Sequence, residues 1–280
     1  MTKDLAIVVL AHNEERRIGI CLASLPTTDP AVAVHVVVNG STDRTAEIAR
    51  SFAGVTVHEY KQGGKSRSWN RIMLGEGAVE AGTYIFVDGD AEVCPGSVSA
   101  LAECLAANPR ANAASGFPRN GRKAEHYAEA LAREHGLFGD LYALSGRFVA
   151  LLRERGIRLP EDLIGDDGLL CAMAKTDARD ESHWDDSRVV PCKGAGFLCE
   201  PTALSPASLH GQYKRMVNYS LRHFQNRIIT RIMREEGGPE ALPPRLADRY
   251  AEWLPRWQPR RDPVWWWFDR QAIKRMRGAI

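Results

Sequence analysis

The stretch Tyr84-Ile85-Phe86-Val87-Asp88-Gly89-Asp90 decides the fold class of this 280-residue chain. Four apolar residues that favour β-strands run directly into two aspartates, which is typical of a buried strand that surfaces at a sheet edge. Two carboxylates about 4 Å apart repel by about 4 kcal/mol at the effective dielectric of a protein surface, so they need a cation. Mg²⁺ is commonly held by one or two carboxylates together with substrate phosphates. The stretch therefore predicts a strand end that binds a metal and a nucleotide diphosphate, although the same aspartates could instead satisfy the amides of a turn.

Composition indicates an ordinary globular protein. Apolar residues make up 44% and charged residues 26% of the chain, and the net charge of +2 is too small to argue for a nucleic-acid partner. The six cysteines form no CxxC pair, so we expect neither structural zinc nor disulfides. Free cysteines favour a reducing compartment, so we expect a cytoplasmic location. Glu14 and Glu15 close the first apolar run, and no run of about 18 apolar residues follows, so neither a signal peptide nor a membrane-spanning helix is expected.

Strand and helix patterns alternate from the N-terminus to residue 107. Continuous aliphatic runs predict strands that are buried on both faces, and the segments between them carry apolar residues at helical spacing. Such alternation requires a mostly parallel sheet flanked by helices, that is, a Rossmann-like α/β fold. The predicted strands lie at residues 5–10, 32–38, 55–57, 84–87 and 111–117, with an apolar return at 189–197. Helices are expected across residues 126–152, with breaks, and across 209–234.

A second acidic pair, Asp166-Asp167, stands at the start of a predicted helix. One aspartate there is explained by the free amides and the dipole of the helix, which together are worth about 0.3 to 1 kcal/mol. Two adjacent aspartates are explained less well. Helix capping and a chemical role therefore both stay open for this pair.

The C-terminal part of the chain differs in composition from the rest. Prolines at 239, 243 and 244 indicate a boundary between a domain at residues 1–235 and an extension at residues 236–280. Five of the seven tryptophans lie in this extension among arginines and lysines. Aromatic and basic residues together suit an anionic membrane surface, here the inner face of the membrane, but packing of the extension onto the first domain is equally compatible with the pattern.

Taken in order, these segments resemble the family 2 glycosyltransferases, which have the GT-A fold and invert the anomeric configuration. The resemblance covers roughly residues 5 to 230. Leu10 to Glu14 is similar to the loop that lines the nucleotide pocket in that family, and Asp88-Gly89-Asp90 is similar to its DxD motif. The other matching segments are Asn39 to Asp43 (DDGSTD), Gly64 to Asn70 (GKxxALN), Asp166-Asp167 (ED) and Gln212 to Met216 (QxxRW).

The resemblance implies a role for each matching residue. Asp167 would be the general base, Asp166 and Gln212 would bind the acceptor, and Asp88 and Asp90 would hold Mg²⁺ or Mn²⁺. The residues expected to bind the nucleotide-diphosphate sugar donor are Ala11, Asn13, Glu14, Asn39, Asp43, Lys65, Asn70, Asp88, Gly89 and Arg215.

Two departures from the family pattern limit which donor and which type of transfer we expect. Val38 stands where many members carry the aspartate associated with uracil, which argues against a UDP donor, and Met216 replaces the tryptophan of QxxRW. Because no spanning helices follow, we expect transfer of a single hexose to a hydroxyl acceptor, lipid-linked or small, rather than processive synthesis. A sugar nucleotidyltransferase of similar fold and a non-catalytic protein of the membrane surface are the alternatives.

Overall fold

The computed structural model describes residues 4–200 and 206–280. The strands are β1 (Leu5–Ala11), β2 (Val32–Asn39), β3 (Val55–Tyr60), β4 (Thr83–Asp88), β5 (Glu92–Val93), β6 (Ala113–Pro118), β7 (Leu141–Ser145) and β8 (Val189–Leu198). The helices are α1 (Ile18–Ala23), α2 (Thr45–Arg50), α3 (Lys65–Leu74), α4 (Ser97–Ala107), α5 (Ala124–Glu134), α6 (Gly146–Glu154), α7 (Asp166–Lys175), α8 (Pro206–Glu235), α9 (Tyr250–Trp253) and α10 (Pro263–Arg277). Short 3₁₀ turns lie at residues 181–183, 186–188, 238–241, 246–249 and 254–256.

The strands form one eight-stranded sheet in the order β3-β2-β1-β4-β7-β6-β8-β5. β1 pairs in parallel with β2 on one side and with β4 on the other, and β2 pairs in parallel with β3. Because Leu10 lies opposite both Val37 and Asp88, the carboxyl ends of these three strands meet at one edge. The mostly parallel sheet predicted from the sequence is confirmed.

Side chains of β1 alternate between two apolar cores, one on each face of the sheet. Ile7 and Val9 pack with residues of α1, α2 and α4, whereas Val8 and Leu10 pack with Trp69 of α3. Successive side chains of a strand point to opposite faces, so a strand that is buried on both faces must be apolar at every position. This requirement explains the continuous aliphatic run at residues 5–10.

Strand β7 corrects the prediction of helices across residues 126–152. α5 and α6 are helical, but Leu141–Ser145 between them is a strand that runs antiparallel to both β4 and β6. Its Tyr142 ring stacks on Phe86 of β4, with 4.8 Å between ring centroids. A short apolar run cannot be assigned to helix or strand by its periodicity, and here pairing with strands far away in the chain decides the outcome.

Residues after α8 pack against α8 and share an apolar core with α3. Trp257 is 5% exposed and lies against Phe224 of α8, with 4.9 Å between ring centroids. Tyr250 and Ile273 belong to the same apolar core as Trp69. The division of the chain at residue 235 stays a prediction, although α8 ends there. None of the described helices is long and apolar enough to cross a bilayer.

Candidate active site

The loops that follow β1 and β2 are joined by hydrogen bonds. The Nδ1 atom of His12 lies 2.6 Å from the Asn39 carbonyl oxygen. The Asn13 amide donates to Ser41 Oγ at 3.0 Å, and the Thr42 amide donates to Asn13 Oδ1 at 2.9 Å. Asn13 adopts φ 57°, a left-handed conformation that asparagine tolerates better than most residues. Two loops predicted to bind the donor therefore form one unit.

Asn39, predicted to bind the donor, is buried and links three segments. Its Nδ2 donates to the Ala11 carbonyl oxygen at 3.0 Å, and the Gly64 amide donates to its Oδ1 at 3.2 Å. Gly89 lies close to the same strand end, since a Cβ atom there would be 2.8 Å from Ala11 Cβ. Only glycine permits this approach, so the turn after β4 contacts the end of β1 directly.

Glu14 and Asp43 lie in the loops that follow β1 and β2, and the charge of Asp43 acts on Glu14. The Asp43 carboxylate accepts hydrogen bonds from the Glu15 amide at 3.0 Å and the Thr45 amide at 3.1 Å. Burial raises the pKa of Glu14 to about 7, and the carboxylates of Asp90 and Glu200 add to the shift. Glu14 thus belongs to a region with an excess of negative charge.

Lys65 lies among several carboxylates at the start of α3. Its Nζ is 2.6 Å from Asp88 Oδ1 at the end of β4 and 3.8 Å from Asp166 Oδ1 at the start of α7. Burial lowers the pKa of Lys65, but the nearby charges of Asp166 and Asp88 outweigh burial and hold the pKa well above its usual value. Lys65 is therefore a permanent cation between two acidic motifs that are far apart in the chain.

Asp140 extends this acidic cluster, although no motif in the sequence marks it. Burial raises the pKa of Asp88 to about 8 against the opposing charge of Lys65, and Asp140 adds to the shift. The pKa of Asp140 itself is raised to about 6, by burial and then by Asp90, with a further contribution from Asp167. Asp140 directly precedes β7, the strand that sequence periodicity did not reveal. The site therefore holds more acids than Lys65 can neutralise.

Asp167, the predicted base, pairs with Arg222 of α8. Arg222 Nη2 lies 3.1 Å from Asp167 Oδ1. Gly165 has φ +88°, and a Cβ atom there would overlap the guanidinium, whereas a Cβ at Gly168 would lie 2.9 Å from Nη2. Two glycines, one before and one after the acidic pair, thus leave space for the Arg222 side chain. Arg222 is one of several arginines on α8, and no spacing signal distinguishes it in the sequence.

Asp166 is buried, with 4% of its surface exposed, whereas Asp167 is only partly buried. Burial raises the pKa of Asp166, and Lys65 opposes the shift. Its Oδ2 atom is buried without a hydrogen-bond partner in the described part of the chain. An unpaired buried carboxylate oxygen is costly, so this atom is an available acceptor for a ligand hydroxyl.

Asn70, also predicted to bind the donor, hydrogen-bonds to the backbone of Leu159. Asn70 is 6% exposed, its Nδ2 donates to the Leu159 carbonyl oxygen at 2.7 Å, and its Oδ1 accepts from the Leu159 amide at 3.0 Å. Both ends of the side-chain amide are therefore occupied by the backbone of the segment that leads to α7.

Two cavities flank the first turns of α8. Gln212 and Arg215 line one of about 890 Å³, together with residues 118, 120–124 and 127, Phe138, Cys199 and Glu200. The other, of about 930 Å³, is lined by His12 and Asn13 on one side and by residues of α8 and α10 on the other. Arg215, predicted to bind the donor, thus lies beside Gln212, predicted to bind the acceptor.

The donor atoms near the end of β4 fit a divalent metal ion. Asp88, Asp90 and Asp140 offer carboxylate oxygens, which Mg²⁺ and Mn²⁺ prefer. Burial, and to a smaller extent repulsion by neighbouring acids, raises the pKa values of Asp88 and Asp140. Within residues 4–200 and 206–280, no three histidine, cysteine or acidic side chains are arranged to hold a metal by themselves. This donor set therefore suits an ion that arrives with phosphates of a substrate.

A family model supports the resemblance seen in the sequence. The model described as "Glycosyl transferase family 2" matches residues 6–168. Among curated relatives, protein RfbJ of Shigella flexneri is 33% identical over 87 residues, which are 31% of this chain and 64% of the relative. The 4,4'-diaponeurosporenoate glycosyltransferase of Staphylococcus aureus is 46% identical over 55 residues, which are 20% of this chain and 15% of the relative. Both matches thus cover less than two thirds of the relative's length.

Solved structures confirm the predicted GT-A fold. A mannosyltransferase from Pyrobaculum calidifontis, in complex with GDP-Man and Mn²⁺, has a TM-score of 0.62 at 19% identity, over 100% of this chain and 76% of that chain. Glucosyl-3-phosphoglycerate synthase from Mycobacterium tuberculosis, in complex with Mn²⁺, UDP-glucose and phosphoglyceric acid, has a TM-score of 0.55 at 20% identity, over 79% of each chain.

Proposed function

The chain belongs to glycosyl transferase family 2, and we propose that it moves one hexose from a nucleotide-diphosphate sugar to an acceptor hydroxyl, with inversion at the anomeric carbon. The meeting of Asp88, Lys65 and Asp166 at the carboxyl edge of the sheet supports this proposal most strongly. In open α/β sheets this edge is where ligands bind. Asp88 and Asp166 belong to acidic motifs that are far apart in the sequence, and the Lys65 side chain lies between them at this edge.

The donor would bind at the edge formed by β1, β2 and β4. The loop residues Ala11, Asn13, Glu14, Asn39 and Asp43 would face the nucleoside. Asp88 and Asp90 would hold Mg²⁺ or Mn²⁺, which when bound supplies positive charge for the diphosphate as it leaves. Lys65, which stays protonated, would add positive charge at the same place. The predicted donor contacts of Asn70 and Arg215 stay predictions.

Asp167 would act as the general base. Its carboxylate would take the proton of the acceptor hydroxyl while that oxygen bonds to the anomeric carbon, and the bond from this carbon to the diphosphate oxygen breaks with its electron pair. Arg222, 3.1 Å from Asp167, would orient the carboxylate. Asp166, through its unpaired Oδ2, and Gln212 would bind the acceptor, either a lipid-linked molecule or a small one.

We further propose that the protein works in the cytosol, at the inner face of the membrane. The six cysteines are all free. Burial raises the pKa of Cys21 and of Cys171, so that neither thiol is readily ionised. Buried, unpaired thiols are typical of proteins kept in a reducing compartment.

Replacing Asp167 tests the proposed base. Asp167→Asn should lose about 10²- to 10⁴-fold in transfer rate, because general-base catalysis contributes about that much. It should still bind the donor with Mn²⁺, measured as a shift in melting temperature. Asp248→Asn, which alters an exposed aspartate in a 3₁₀ turn, is the matched control and should transfer normally. Unchanged turnover of Asp167→Asn would remove this residue from the mechanism.

A thermal-shift screen of nucleotide sugars with Mn²⁺ would identify the donor. A ligand at 100 times its dissociation constant stabilises the folded state by about 2.7 kcal/mol, which is readily measured. The same protein should form no pyrophosphate from a sugar phosphate and a nucleoside triphosphate. Pyrophosphate release would instead support the nucleotidyltransferase alternative.

A further inference from the structure

Helix α10 presents large apolar side chains to solvent at its first turns. Val264 is 57% exposed, Trp266 is 41% exposed and Trp267 is 53% exposed. We refer to these three residues together with Arg270, Lys274 and Arg277 as the tryptophan face. Exposed tryptophans on one helix face are unusual in a water-facing surface, because each leaves a large apolar area in contact with water.

Cations surround these tryptophans. Arg270, Lys274 and Arg277 are exposed and line a groove of about 730 Å³ together with Trp266 and Trp267. The Arg270 guanidinium lies 4.6 Å from the centre of the Trp266 ring. The described residues that line this groove include no aspartate or glutamate. The tryptophan face therefore combines apolar rings with uncompensated positive charge.

The opposite side of α10 packs in the protein core, and Asp269 on this side is buried. Ala272, Ile273 and Met276 are buried in the apolar core that also contains Trp69. Asp269, the acidic residue of this helix, is fully buried and accepts hydrogen bonds from Arg260. Burial of Asp269 leaves the outward side of α10 cationic, so the charge asymmetry is built by the packing of the helix.

We propose that the tryptophan face docks on the surface of a bilayer that contains anionic lipids. Tryptophan rings partition to the level of the lipid head groups, and basic side chains beside them are attracted to anionic lipids. Charge complementarity and the exposed rings both favour this partner. The helix would lie in the interface plane, since the described helices include none that could span a bilayer.

Docking would bring the membrane close to the candidate active site. Lys274 and Gln271 line the groove of the tryptophan face and also line the cavity that reaches His12 and Asn13. α10 in turn packs on the first turns of α8, where the Tyr213 and Phe268 ring centroids lie 5.8 Å apart. A bilayer on this face would therefore border the entrance of that cavity.

Sedimentation of the full chain with vesicles tests the proposal. The protein should bind vesicles of phosphatidylcholine and phosphatidylglycerol and bind phosphatidylcholine alone much less, with the difference reduced at high salt. The double variant Trp266→Ala/Trp267→Ala should lose roughly tenfold in partition coefficient, because apolar area at the interface is lost. Arg270→Glu/Arg277→Glu should lose at least about 30-fold, since each basic residue near an anionic surface contributes about fivefold and each new carboxylate adds repulsion.

Two matched variants control for composition and folding. Trp184→Ala removes a tryptophan that is 46% exposed outside α10, and Arg110→Glu/Arg133→Glu reverses two exposed charges in other parts of the domain. Both should bind vesicles like the wild type. Independently of any variant, lipids with brominated acyl chains should quench the tryptophan fluorescence of the bound wild-type protein.

Three results would overturn the proposal. An equal bound fraction of Trp266→Ala/Trp267→Ala and the wild type would show that the rings do not contact lipid. Tighter binding of single-stranded nucleic acid than of anionic vesicles would assign the face to a different partner. A dimer that dissociates when Trp266 and Trp267 are replaced would assign it to a second copy of the chain.

Discussion

Two groups of partly buried charged side chains in this protein differ in their charge balance. In the C-terminal extension, the Asp269 carboxylate faces Arg260, with Nη2 2.6 Å from Oδ1 and Nε 2.9 Å from Oδ2. At the carboxyl edge of the sheet, Lys65 faces Asp88 and Asp166, and Asp140 adds further negative charge to Asp88. The first group is neutral, whereas the second has an excess of acids.

The pKa shifts of the two groups run in opposite directions. Burial by itself raises the pKa of Asp269, but hydrogen bonds from Arg260 and Ser220 and the charge of Arg260 outweigh burial and hold the pKa below its ordinary value of 3.8. Burial raises the pKa of Asp88 to about 8, and Lys65 does not reverse the shift. The balanced pair fixes the segment before α10 to that helix, whereas an unbalanced cluster is suited to receive a cation with its ligand.

The largest expected effect concerns the balanced pair. Asp269→Asn should lower the free energy of unfolding by about 3 kcal/mol at pH 7, because it leaves the half-buried Arg260 charge without its ionic partner. Chemical denaturation measures the loss. Asp248→Asn is the control, with an expected change within about 0.5 kcal/mol.

The direction of the Asp269 pKa shift determines how this loss of stability depends on pH. Since folding lowers the pKa of Asp269, its contribution to stability is present above its ordinary value of 3.8 and is lost as the pH falls through the folded-state pKa. The difference between the wild type and Asp269→Asn should therefore shrink on acidification below about pH 4. A difference that stays constant to low pH would show that packing, rather than charge, makes Asp269 important.

The second prediction concerns the unbalanced cluster. Asp88→Asn should change the stability of the ligand-free protein little, because relief of the cost of burying the Asp88 charge, together with relief of repulsion by Asp140, offsets the lost contact with Lys65. It should abolish the stabilisation by a nucleotide diphosphate with Mn²⁺, about 2.7 kcal/mol at 100 times the dissociation constant. Thermal shift with and without a chelator measures both effects. Full retention of the metal-dependent shift would contradict the proposed role of Asp88.

Asn70 provides a third and smaller test. Asn70→Ala should destabilise the protein by about 1 to 3 kcal/mol, because it leaves the buried backbone groups of Leu159 without partners. The donor KM of the folded variant should equal that of the wild type. A raised KM without loss of stability would show instead that Asn70 contacts the donor, as the resemblance implies.

The smallest effect is expected at Gly168. Gly168→Ala places a Cβ atom 2.9 Å from Arg222 Nη2, so the guanidinium must shift from Asp167. We expect little net change in stability, because the helix propensity that alanine gains offsets the cost of displacing the guanidinium, together with slower transfer. Gly19→Ala in α1 is the control, because its Cβ would contact only Ile48 at 3.8 Å. Equal turnover of Gly168→Ala and the wild type would show that Arg222 does not position the base.

Much of the fold was predictable because the first four strands can be recognised from their own residues. β1, β2 and β4 are buried on both faces, and this burial is visible as continuous aliphatic runs. β7 was not predictable, since five residues, Leu141 to Ser145, suit a helix or a strand until β4 and β6 lie on either side. Asp140 was missed for the same reason, because its position depends on that strand.

The sequence by itself determined the parallel half of the sheet, the two acidic motifs that end β4 and begin α7, and the concentration of tryptophan and arginine in the C-terminal extension. Tertiary structure alone decided that Lys65 lies between the two motifs, that Arg222 reaches Asp167 past two glycines, and that Asp269 is buried and so leaves α10 cationic outside. The reason is physical. Periodicity and strand propensity act between neighbouring residues, whereas charge balance is a sum over groups that only folding brings together.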